Sequence, residues 1–117
     1  MKTITIKGKP YVPVAERLNF FLTEDEYKGW HITTHIHEVT PDWVVMVAKV
    51  FDKEGELAAT GTATERREGN INKTSYVENC ETSSVGRALG FLGIGSQHDI
   101  ASADEVALAR MPKPISL

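Results

Sequence analysis

Cysteine is almost absent: Cys80 stands alone among 117 residues. No internal disulfide can form, so packing must hold the core, and a reducing cytoplasm is the expected home. A lone cysteine on a helix reads as a small buried residue. Long apolar runs are missing too. No stretch approaches the roughly 20 residues of a membrane helix, so no membrane partner is expected. The start, MKTITIKGKP, lacks the apolar segment of a secretory leader. A large charge of one sign is also lacking: the net charge of −3 does not announce a nucleic-acid binder. Catalytic signatures are missing as well. There is no P-loop and no serine-histidine-acid arrangement, and GFLGIG closes a helix where a dinucleotide fingerprint would open one. The acids Glu24, Asp25 and Glu26 read as a solvated turn. No cofactor and no enzymatic role are expected.

What is present is an uneven distribution of charge. Lys2, Lys7, Lys9 and Arg17 stand against Glu16 in residues 1–17, a balance of +3. Residues 18–56 come to −5 and residues 57–117 to −1, but the latter include the local cluster Arg66, Arg67 and Lys73. Such a surface can hold a basic groove on an acidic body.

The length suits one domain over 1–117, with a core at about 10–110 and a short tail at 111–117. Val14, Leu18, Phe21 and Leu22 recur at helical spacing and predict a short helix from Pro13 to Leu22, with proline at its first position. Three strands follow. Trp30 to Val39 alternates, Trp43 to Phe51 is β-branched and nearly all apolar, and Leu57 to Arg66 is made of small residues and threonines with one face close to something. Pro41 and Gly55 mark the two connections. Arg67 to Ser75 reads as a loop. A long helix then runs from about Ser75 to Leu92 and stops at Gly93 and Gly95. A second short helix is predicted over 102–110, with Ser102 and Glu105 forming a capping box. The expected fold is α+β: a three-stranded antiparallel meander packed against one long helix, a β-β-β-α core, with short flanking helices.

The long helix carries Thr82, Ser83 and Ser84 in its middle and Gly86 and Gly90 beyond. Thr82, Gly86 and Gly90 lie one above the other at four-residue spacing. This stripe lets another backbone come close, whether the chain's own sheet, a neighbouring subunit or a ligand.

The segments YVPVAERLNFF, KGW, ENCETSSVGRALGFLGIG and IASADEV, with the strand order between them, resemble the phage single-strand annealing recombinases of the Erf and Sak groups. These are related in fold to the eukaryotic annealing protein Rad fifty-two. The resemblance implies single-stranded DNA binding and strand annealing by a homo-oligomer, a ring or filament, with a phage exonuclease as a further partner. In the eukaryotic relative a lysine that touches DNA precedes the helix arginine. Gly86 stands there in this chain, so only Arg87 carries over.

Phosphate contacts give affinity without sequence preference, and an oligomer would align a few bases per copy into one track. The residues expected to bind DNA are Arg66, Arg67, Lys73 and Arg87, with Lys49 as a weaker candidate. Tyr76 is expected to stack bases, while Tyr27, Trp30 and Trp43 are other aromatics, the tryptophans reading as packing residues. Two further readings stand beside annealing. One is a protein that coats single strands without pairing them. The other is a metal-binding or enzymatic domain using His31, His35 and His37, which alternate onto one strand face. Zinc wants four ligands, and Glu38 alternates to the other face, so no metal is expected.

Overall fold

The computed structural model describes residues 1–95, without the side chains of residues 70–72. The predicted helix at 102–110 and the tail lie outside the described residues. The chain forms β1 (Ile4–Ile6), β2 (Lys9–Tyr11), α1 (Val14–Thr23), a 3₁₀ turn (Asp25–Tyr27), β3 (His31–Val39), β4 (Trp43–Phe51), β5 (Leu57–Arg66) and α2 (Gly69–Phe91).

The expected fold, one sheet under one long helix with minor flanking helices, is corrected on three points. A second sheet exists: β1 and β2 pair as an antiparallel hairpin, Ile4 opposite Tyr11 and Ile6 opposite Lys9. Its two-residue turn works because Lys7 and Gly8 both take left-handed φ, 51° and 78°, the geometry that follows the twist of paired strands. Second, α1 is a packing element in its own right, lying against α2. Third, α2 is not one straight rod. It begins inside the segment predicted as loop and leaves helical geometry at Ser75, where φ is −123° and ψ 21°.

The main sheet has the order β3-β4-β5, antiparallel throughout. In β4 the side chains of Val44, Met46, Ala48 and Val50 are buried, while Val45, Val47 and Lys49 on the other face are half-buried. This alternation is what one covered face dictates. β3 keeps register until a bulge between Ile36 and Glu38, where His37 is the extra residue. Such a bulge interrupts an open edge.

Both helices lie on the same side of the sheet, giving an α-β-β-β-α body. α2 crosses β4 and β5. Phe21 of α1 joins Ala48, Val50, Ala88, Leu89 and Ile94 in the larger core cluster, and Val44, Met46 and Cys80 form a smaller one. Close approach is made at Gly61 of β5. A β-carbon there would run into the Ser84 carbonyl oxygen and the Ala88 amide nitrogen of α2. Ser84 and Ala88 are fully buried, and Ser84 Oγ donates to the Glu81 carbonyl at 2.8 Å. Small residues in this helix therefore let its backbone rest on a strand. The helix ends as a Schellman motif: the Gly93 N–H donates to Gly90 and the Ile94 N–H to Leu89, both at 3.0 Å. Gly93 supplies φ 102°, and Ile94 folds back into the core beside Leu89.

Candidate nucleic-acid interface

β5 and the start of α2 bring three cations to one end of the domain. Arg66 is the last residue of β5, and Arg67 leads into the turn before α2. Lys73 sits in the first turns of that helix, and all three are exposed. Backbone and side-chain hydrogen bonds fix their spacing. The Arg67 N–H donates to the Asp42 carbonyl at 2.8 Å, and its Nε–H donates to the Lys73 carbonyl at 2.9 Å. The Tyr76 hydroxyl donates to the Thr40 carbonyl at 3.2 Å. The β3–β4 turn is thus tied to the beginning of α2. That turn is itself set by Thr40, whose hydroxyl accepts the Asp42 and Trp43 N–H groups, each at 3.1 Å.

Trp43 lies opposite Arg66 across the β4–β5 ladder, and its indole N–H donates to the Glu38 carboxylate at 2.8 Å. It is partly exposed on the uncovered sheet face, next to the cationic end. Strand register carries this juxtaposition: Trp43 opens β4 and Arg66 closes β5, so the hairpin joining them places the two side by side. That signal was present in the sequence, but Trp43 read as a packing residue. The cluster has acidic neighbours. Glu68 stands 3.8 Å from Arg66, both well exposed, a pair worth little in water. The start of α2 adds the partial positive charge of a helix N-terminus on the same side.

Arg87 is not part of this group. It lies about 20 Å further along α2 than Lys73, half-buried, with its guanidinium 5.6 Å from the Phe91 ring centre. Tyr76 is at the cationic end, but its ring is half-buried against the Val44–Met46–Cys80 cluster. Lys49 is half-buried at mid-strand on the uncovered sheet face, opposite Thr33 and Thr60. The Thr82–Gly86–Gly90 stripe does not form one surface. Thr82 is exposed and bonds back to the Glu78 carbonyl at 3.2 Å. Gly86 is buried against Val14 of α1, and Gly90 is buried. Arg17, counted among the surface bases, is 2% exposed. Its Nε–H donates to the Val12 carbonyl at 3.0 Å.

His31, His35 and His37 are spread along β3. His31 stacks on Phe51 with ring centres 5.0 Å apart, His35 lies opposite Val47, and His37 sits at the bulge. Among the described residues no three histidine, cysteine, aspartate or glutamate side chains converge to hold a metal. Cys80 is buried, and burial pushes its thiol up to about 11, the state of an inert core thiol. No helix among the described residues is long and apolar enough to cross a membrane.

An α-β-β-β-α body with cations gathered where the last strand meets the last helix defines a class of small α+β domain. A family model described as Slr1353 N-terminal dsRNA-binding domain-like matches residues 23–92, well over half of the 117 residues. The chain belongs to this family. The resemblance to the Erf and Sak annealing proteins is thereby corrected: the family that the chain matches is a dsRNA-binding domain-like one. Nothing among curated proteins or solved structures matches the chain.

Proposed function

We infer that this domain binds nucleic acid through its phosphate backbone, with double-helical RNA as the ligand class. The carrying observation is the fixed grouping of Arg66, Arg67 and Lys73 in a chain whose family is described as dsRNA-binding domain-like. Domains of that kind recognise shape. They touch successive minor grooves and the phosphates between them, with little reading of sequence. Three exposed cations beside a helix start suit the phosphate part of that task. Glu68, Asp42 and the net charge of −3 keep the attraction modest. Binding is therefore weak and strongly salt-dependent, and no catalytic step or cofactor is assigned to the chain. A cytoplasmic home goes with this role.

The experiment is a titration of labelled RNA duplex, DNA duplex and single-stranded DNA with the full chain at several salt concentrations. RNA duplex should bind tightest. Arg66→Ala with Arg67→Ala should weaken binding equally for all sequences and flatten the salt dependence by about two in log–log slope. Unchanged binding by that double variant would remove the proposed surface. Single-stranded DNA annealing by a homo-oligomer is the competing role. β3 and β5 each pair on one side only, and such edges are what lateral assembly would use. Tighter binding to single strands, with faster pairing of complementary strands, would favour it.

A further inference from the structure

The β1–β2 hairpin lies outside residues 23–92, the part that matches the family. Residues 1–15 contain Lys2, Lys7 and Lys9 and no acid, and all three lysines are exposed. The two strands pair with each other and not with the main sheet. The hairpin is held to the body at its base. There Tyr11 lies beneath the Arg17 guanidinium at 5.7 Å, and Val12 is buried next to Gly95, just past the end of α2. A three-residue ladder that covers no core contributes little to holding the fold.

The turn residue is informative. Lys7 takes φ 51°, a conformation that asparagine or glycine adopts more readily. A cationic side chain therefore occupies the tip of the hairpin at some conformational cost, with Lys9 flanking it. The hairpin base and the Arg66–Arg67–Lys73 group stand at opposite ends of α2, whose straight run from the kink at Ser75 to Phe91 is about 25 Å long.

We propose that the hairpin is a second phosphate-binding element, reaching the same duplex some 25 Å along its length from the cluster at the start of α2. The partner is a nucleic-acid duplex. One shorter than the separation would not bridge both points. This inference rests on the proposed function and adds to it a minimum ligand length.

The test is Lys7→Asn with Lys9→Gln in the full chain. Asparagine before glycine favours the same turn, so circular dichroism should be unchanged. On an RNA duplex of about 20 base pairs, longer than the roughly 16 that dsRNA-binding domains span, the variant should bind several-fold more weakly. The salt slope should fall by about two. On a duplex of about 8 base pairs, too short for both points, variant and parent should bind alike. Equal binding on the long duplex overturns the inference and leaves the proposed function standing. An equal loss on both lengths also overturns it, because the lysines would then act at the same point as the arginines. If the parent chain binds neither duplex, the proposed function fails and this inference goes with it.

Discussion

At Gly61 a β-carbon would collide with backbone atoms of α2, and backbone cannot rotate away as a side chain can. Gly61→Ala should therefore destabilise the domain by about 2 kcal/mol or more, the range of overpacked cores, read as a fall in the urea midpoint. Gly86→Ala is the useful contrast. The atoms nearest its new methyl belong to the Val14 side chain and not to backbone, and alanine gains about 1 kcal/mol of helix propensity over glycine. The two effects oppose each other, so Gly86→Ala should change stability far less than Gly61→Ala. A second residue-scale prediction concerns pH. Burial raises the Cys80 thiol to about 11 from its ordinary value near 9.0. The folded state thus favours the protonated thiol. Its contribution to stability is complete below pH 9 and is lost as pH rises through about 11. Cys80→Ala should reduce the loss of stability in that window. Some loss remains, because burial and the nearby Glu26 also raise the Tyr27 hydroxyl. Residue type misled most at Arg17. An arginine reads as surface, and only the tertiary partners, the Val12 carbonyl and the Tyr11 ring, explain a buried one.

Among elements, β4 and β5 were legible to the residue, because an apolar β-branched run and a run of small residues and threonines are set apart by the turn signals at Pro41 and Gly55. The predicted start of α1 was one residue early and that of β3 likewise. The hairpin was not legible. Its strands have three residues each, too few for periodicity to register, and Lys7-Gly8 is a weaker turn signal than asparagine-glycine. The first turns of α2 were hidden because Gly69, Asn70 and Asn72 are poor helix formers; the helix begins there all the same. This matters for the site. With residues 67–75 as loop, Lys73 would be loosely placed, whereas the Arg67 Nε–H bond to its carbonyl fixes it. The grouping of Arg66, Arg67 and Lys73 was readable from proximity in sequence. The distance of Arg87 from them needed only helix geometry, and the addition of Trp43 needed the strand register. Glu68 is the acid nearest Arg66. Glu68→Gln should strengthen duplex binding by a small factor at low salt and by less at high salt, the behaviour of exposed charges. A titration at two ionic strengths checks the sign.

For the whole molecule, the difficulty is a net charge of −3 in a domain read as binding a polyanion. Segregation resolves it. Residues 18–56 hold most of the acid excess, including the exposed run Glu24, Asp25 and Glu26, while exposed cations gather at the start of α2 and on the hairpin. An acidic remainder repels nucleic acid from the other faces, which orients the encounter. The most direct measurement of this arrangement is the salt dependence of binding to RNA duplex by the unaltered chain. Contact through Arg66, Arg67, Lys73, Lys7 and Lys9 predicts a log–log slope of about −4 to −5, at roughly 0.9 per phosphate neutralised. Affinity that does not change with salt, or no binding at the lowest salt tested, would contradict it.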